Sequence, residues 1–162
     1  MQTMGLCVWY DNQAEEAAKL YASLFKNFKI TNIARYDDAA AKQAGKPKGS
    51  VMTVMFQING QDFMALNGGP LFKFTEATSI MVNCDTQDEV DALWDGLTNN
   101  GGEEGQCGWL KDKFGLSWQI IPKAFGEMMS DPDPVKTGRV IQAMLKMKKL
   151  DTKILKQAYE GK

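Results

Sequence analysis

The sequence predicts an α+β fold, in which two tandem βαβββ units are followed by a helical extension. Three observations predict it. Leu6, Val8 and Tyr10 match Ile80, Val82 and Cys84 at an offset of 74 residues, and the helix-opening residues Asn12 and Thr86 stand at the same offset. Within each repeat, a strand-like run gives way to a stripe at helical spacing and then to short runs divided by turn signals. Beyond residue 122 the periodicity stays helical. The expected boundaries are 1–122 for the paired units, divided at about 1–70 and 71–122, and 123–162 for the extension.

The first unit opens with Leu6 to Tyr10 (LCVWY), a short run of strand formers. Asn12 stands three residues before Glu15, the spacing of a capping box, and Ala17, Leu20, Tyr21, Leu24 and Phe28 follow as one apolar stripe. Residues 29–36 alternate weakly and read as a strand. The polar stretch 37–49 (DDAAAKQAGKPKG) reads as a loop because it ends in Gly and Pro signals. Residues 50–58 and 61–66 are strands joined by Asn59-Gly60, the strongest short hairpin signal. Asn67-Gly68-Gly69-Pro70 ends the unit.

In the second unit, residues 79–84 (SIMVNC) form an apolar strand, Thr86 and Glu89 a second capping box, and Val90, Leu93, Trp94 and Leu97 a second stripe. Asn99-Asn100-Gly101-Gly102 stops that helix. A short strand is expected near Glu103, then strands over 106–111 and 116–121 around the turn 112–115. The hairpins repeat at only about 54 residues because the first unit carries the long 37–49 segment. In the extension, 123–130 is a short helix, Asp133 caps a helix with Pro134 at its first position, and Asp151 caps a last one. It reads as a cover over the sheet or over a partner subunit.

Composition limits function. The formal net charge is −1, so the basic excess that drives binding to nucleic acid is absent and no nucleic-acid partner is expected. The N-terminal residues have no basic segment followed by an apolar core, and no run is long enough to span a bilayer. A cytoplasmic protein without a membrane partner is therefore expected. Three cysteines without a CxxC pair argue against a disulfide scaffold or zinc knuckle. There are 0 histidines, which removes Ser-His and Cys-His pairs and imidazole ligands together.

The residues that could carry chemistry are few. Cys107 reads as a small hydrophobe, since Lys111 lies too far along an extended strand to activate it. Trp109 and Trp118 fall on paired strands, with Trp118 and Ile120 on the side opposite Gln119; they serve either as packing or as a stacking wall for a ligand. Glu103 and Glu104 are a solvated loop or a general base, and Asp112 shapes a turn. The 10 methionines suit core filling or an adaptable pocket.

The stretches WYDNQAEEAAKLYASLF (9–25), GQDFMALNGGP (60–70) and CGWLKDKFGLSWQIIP (107–122) resemble the vicinal oxygen chelate superfamily of glyoxalase, bleomycin-resistance and dioxygenase proteins. Within it they look like the PhnB-like branch labelled as a demethylubiquinone 3-methyltransferase domain. The resemblance runs from about Leu6 to the C-terminal helix. It implies curved mixed sheets, each module curling into half of a cup, and a divalent metal held by His, Gln or Glu from both halves. Carried over one by one, those ligands fall near Met4 or Leu6, near Ser79, near Leu66 or Asn67, and at Gln119, where relatives usually have Glu. No carboxylate or imidazole is among them, so no catalytic metal and no other cofactor is expected. Methyltransferase activity is not expected either, because the chain has no GxGxxG turn for its cofactor, and Gly45-Lys46 is no P-loop.

The resulting expectation is a homodimer, its cups built from both subunits, that binds an unknown small molecule through Trp9, Asn67, Ser79, Trp109, Trp118 and Gln119 without a catalytic metal. The catalytic residues of any reaction are not assignable from the sequence. The alternatives are a metal-dependent lyase or oxygenase acting on a vicinal-oxygen substrate, and a structural dimer with no active site.

Overall fold

A computed structural model describes residues 2–162. The fold is α+β, with two four-stranded mixed sheets and helices at the C-terminus. The chain divides into two compact units, one ending at Phe74 and one running from Thr75 to Lys162.

The first unit contains β1 (Gly5–Tyr10), α1 (Ala14–Leu24), β2 (Phe28–Arg35), α2 (Asp38–Ala44), β3 (Val51–Ile58) and β4 (Gln61–Asn67). Its sheet order is β1-β4-β3-β2, with β1 parallel to β4 and the other pairs antiparallel. The Asn59-Gly60 turn has φ values of 49° and 82°, the left-handed pair that lets a two-residue hairpin follow the sheet's twist. One face of the sheet is sealed. Val8, Tyr10, Val54, Phe56, Phe63 and Ala65 are buried there, and α1 buries Ala14, Ala17, Ala18 and Tyr21. Three small alanines bring the helix close, and Tyr21 meets the Tyr10 hydroxyl at 3.0 Å. Phe56 stacks with both Phe28 and Phe63 at centroid distances of 5.1 and 5.3 Å.

Two local features differ from the sequence expectation. Residues 38–44 are a helix rather than loop: Asp37 caps it by accepting the Ala40 N–H at 2.8 Å, and Gly45 ends it at φ 63°. Four helix-favouring alanines follow in that segment, and the burial of Ala41 anchors them. The N-terminus of α1, in turn, has no cap from Asn12 or Gln13. The Ala14 N–H is instead taken at 2.8 Å by the side-chain oxygen of Asn67, at the end of β4. This cap crosses 53 residues, beyond the reach of a local capping motif.

The second unit contains β5 (Ser79–Cys84), α3 (Gln87–Thr98), β6 (Glu103–Glu104), β7 (Trp109–Lys111), β8 (Ser117–Pro122), α4 (Lys123–Met129), α5 (Pro134–Met144) and α6 (Thr152–Glu160). Its order, β5-β8-β7-β6, repeats that of the first sheet, again with the outer first strand parallel. The Thr86 hydroxyl accepts the Glu89 N–H, and the Glu89 carboxylate accepts the Asp85 N–H at 2.8 Å, one residue before the position an ideal capping box would bond. Val90, Leu93, Trp94 and Leu97 of α3 are buried with Cys84, Leu110, Trp118 and Ile120 of the sheet. Each such side chain contributes about 1.5–3 kcal/mol before conformational entropy is subtracted.

β7 begins at Trp109, three residues later than the sequence suggests. Cys107 and Gly108 have φ values of 57° and 84°, a sharp bend that no strand tolerates. The extension accounts for it: the Cys107 and Gly108 N–H groups donate to Met147 and Lys148 carbonyls, both at 2.8 Å. Met128, Val140, Leu150 and Leu155 form the core of the extension, with Ile121 of β8 packed against its margin. Gln87 fastens it to α3 by bonding Leu150 and Thr152.

Candidate functional site

Strand alternation gives each sheet a second face that α1 or α3 does not cover. On the first sheet it carries Cys7 and Trp9, Met64 and Leu66, and Thr53 and Met55, as the registers Cys7↔Met64, Trp9↔Leu66, Met55↔Met64 and Thr53↔Leu66 require. These residues are half-buried except Cys7, which is exposed. On the second sheet the face carries Ser79, Met81 and Asn83, then Ser117, Gln119 and Ile121, then Trp109 and Lys111.

Trp9 is locked in place. Its indole N–H donates to the Gly69 carbonyl at 2.8 Å, and Phe72 meets the ring edge-on at 4.9 Å. Gly68 is required beneath it, since a Cβ there would lie 2.2 Å from the Trp9 ring. Ser79 and Gln119 come together: the Gln119 amide donates to the Ser79 hydroxyl at 2.8 Å. Trp109 sits directly opposite Gln119 in the register, so the two side chains stand on the same face. Trp9, Ser79, Trp109 and Gln119 thus lie on the uncovered faces.

The other two predicted site residues lie elsewhere. Trp118 is 1% exposed on the α3 side, where its indole donates to Asp112 at 3.0 Å. Asp112 also accepts the Phe114 and Leu116 N–H groups, so the turn residue doubles as a core anchor. Asn67 is 7% exposed, with both ends of its amide used: the oxygen caps α1, and the nitrogen donates to the Val51 carbonyl at 3.0 Å. Periodicity places a residue on a face; it does not reveal these long-range partners.

The titratable groups offer little conventional catalysis. The Trp94 indole N–H and the Lys148 ammonium hold the Glu104 carboxyl below its ordinary range, which weakens it as a base. Lys111 bridges Glu103 and Glu76 at 3.0 Å each, and these bonds raise its pKa. Burial raises the Cys84 thiol to about 11 and also raises Cys7. Among the described residues, no three His, Cys, Asp or Glu side chains gather as a metal site. Ser117, 1% exposed between Ser79 and Lys111 in the register, has a buried hydroxyl without a hydrogen-bond partner, a polar group sequence reasoning did not single out.

Two strand-helix-strand units whose first strand joins the last in parallel, each with one uncovered face, make a glyoxalase-like fold, the one that the resemblance to the vicinal oxygen chelate superfamily implies. The chain matches the 3-demethylubiquinone-9 3-methyltransferase family over residues 2–121 and belongs to that PhnB-like family. A PhnB protein of Bacillus cereus, named for 3-demethylubiquinone-9 3-methyltransferase, is 32% identical, with a TM-score of 0.65 over 75% of this chain and 99% of that one. Protein PA1353 of Pseudomonas aeruginosa (17% identity, TM-score 0.58, 75% of this chain and 98% of that one) shares the fold. So does a fosfomycin resistance protein of Listeria monocytogenes (15% identity, TM-score 0.51, 74% of this chain and 91% of that one). No curated protein matches the chain. The family match stops at residue 121, short of the C-terminal helix that the sequence resemblance was expected to reach.

Neither group implied by this kinship fits the residues present. On the uncovered faces, the repeat sets Gly5 against Ser79 and Met64 against Gln119, whereas Leu6 shares the buried face of Val8 and Tyr10. Gly5 and Met64 offer no side-chain oxygen, and Ser79 and Gln119 bond each other, so a hard divalent ion lacks a charged ligand set there. A methyl-donor cofactor of the nucleotide type needs a glycine-rich turn opening onto a free helix N-terminus. The turn after β1 is Asp11-Asn12-Gln13, and Asn67 closes the helix end behind it.

Proposed function

We propose that this chain is a homodimeric small-molecule binder that works without a catalytic metal, in the cytoplasm. The observation that carries the reading is the Gln119–Ser79 hydrogen bond at 2.8 Å, set opposite Trp109. It puts a neutral amide-hydroxyl pair and an aromatic wall where relatives are expected to hold a metal. Such a lining suits a ligand with a flat apolar body and a neutral hydrogen-bonding group. The name of the Listeria monocytogenes protein, fosfomycin resistance, points to a drug-like ligand as one class worth testing. Exposed apolar side chains support a partner subunit: Leu71 is 75% exposed, Phe72 59% and Met81 58%. Among the described residues no helix is long and apolar enough to cross a membrane.

A thermal-shift screen of small aromatic and drug-like compounds, with light scattering at micromolar concentration, tests the reading. Stabilisation by a ligand, diminished in Gln119→Ala and Trp109→Ala, is expected from a dimer. A monomer, or a screen in which nothing stabilises the protein, contradicts it and favours a structural protein.

A further inference from the structure

We infer that the groove between α5 and α6 binds a free amphipathic carboxylate, an apolar chain ending in an anionic head, and that Arg139 holds the head. Residues 134–146 line one side of the groove and residues 158–162 the other. Its volume is about 620 Å³, within the range of about 300–1,000 Å³ usual for small-molecule sites, which often lie between packed helices. It lies apart from both uncovered sheet faces, so the inference does not depend on the small-molecule reading given above.

Charge selects the head of the ligand. Arg139, Lys146 and Lys162 line the groove, and no Asp or Glu does. Lys162 is paired with Glu160 at 2.6 Å. Arg139 donates from Nε to the Ala158 carbonyl at 2.8 Å and from Nη2 to the Tyr159 carbonyl at 2.6 Å. Both partners are neutral, so the guanidinium charge stays uncompensated, and the rest of its N–H fork matches a carboxylate. Lys146 has no carboxylate partner among the described residues either. Residues 123–162 hold nine Lys and Arg against five Asp and Glu, in a chain whose net charge is −1, so the local field also favours an anion. The floor suits an apolar chain, with Val135, Gly138, Ala143 and Ala158 along it. Glycine inside a helix is less stable than alanine, and no contact within the chain requires Gly138, because an added Cβ would meet nothing within 4 Å. Its missing side chain keeps the groove open down to the helix backbone.

The test is isothermal titration calorimetry of the full chain with decanoate below its micelle concentration. Wild type should take up one equivalent, more weakly as salt is raised. Decyltrimethylammonium, with the same chain and the opposite charge, should not bind. Gly138→Leu, which fills the groove from a position in contact with no other part of the chain, should weaken decanoate binding by about tenfold or more. Arg139→Gln should weaken it by about tenfold or more, and Lys146→Ala by about two- to fivefold. In two-dimensional amide NMR spectra, the shifts caused by decanoate should gather at Gly138, Ala158 and Gly161. The inference falls if decanoate does not bind, or if Gly138→Leu, shown by melting to be folded, binds it as wild type does. It also falls if the shifts gather at Trp109 and Gln119, if decyltrimethylammonium binds equally well, or if the chain binds phosphatidylserine vesicles and not free decanoate.

Discussion

Replacing Asn67 with alanine should destabilise the first unit. In the native structure its side-chain oxygen accepts the Ala14 N–H at 2.8 Å and its nitrogen donates to the Val51 carbonyl at 3.0 Å. Ala14 is 0% exposed and Val51 5%, so water cannot easily replace the lost partners. A buried polar group left without a partner costs about 1–3 kcal/mol, and two are stranded here. The bond from the Tyr36 side-chain hydroxyl to the Asn67 main-chain carbonyl, at 2.7 Å, survives the substitution. We expect a loss of about 3 kcal/mol, near the low end of the summed range because an alanine lets the helix end relax. With an m-value of about 2 kcal/mol/M, the urea midpoint should fall by about 1.5 M. Equilibrium unfolding followed by far-UV circular dichroism measures it. A loss below about 0.5 kcal/mol, the size of an ordinary surface substitution, would refute the reasoning and return Asn67 to the role of a ligand anchor.

Gly68→Ala should expel Trp9 from its seat, because the added Cβ would stand 2.2 Å from the ring. Its bond to Gly69 and its edge contact with Phe72 would go together, and tryptophan emission should shift to the red; unchanged emission contradicts this. Asp131 accepts bonds from the Tyr159 hydroxyl, the Asp133 N–H and the Lys136 ammonium, which lower its pKa from 3.8 to about 2. A depressed carboxyl pKa stabilises the folded chain above the unfolded value, and that stability is lost as pH falls from about 4 to about 2. Asp131→Asn should weaken the extension at neutral pH and flatten this acid limb in thermal melts; an unchanged limb would show that Asp131 does not govern it. The same bond raises the pKa of Tyr159 above 10.0, so its contribution is present below that pH and should fade above it, and Tyr159→Phe should abolish that alkaline loss.

Much of the architecture was legible in the sequence because it is written in local periods. The 74-residue offset from Leu6 to Ile80 anticipates the structural match between β1 and β5. The Asn59-Gly60 turn and the caps at Thr86, Asp133 and Asp151 form as their residue types dictate. What escaped depends on partners distant in the chain. Helix α2 was hidden because polar residues among four alanines look like a loop until Ala41 is buried. The cap of α1 comes from Asn67, and the bend at Cys107 is fixed by carbonyls 40 residues onward. For the candidate site, alternation put Gln119 opposite in facing to Trp118, and the burial of Trp118 agrees with it. The Gln119–Ser79 bond crosses two strands whose register no local pattern states.

Divalent metal content tests the central claim most directly. Protein purified without added metal should hold only substoichiometric Mg, Mn, Fe, Ni or Zn, and its melting temperature should not move on treatment with EDTA. One equivalent of such a metal in wild type, lost in Gln119→Ala, would contradict the account and restore a metal-dependent enzyme.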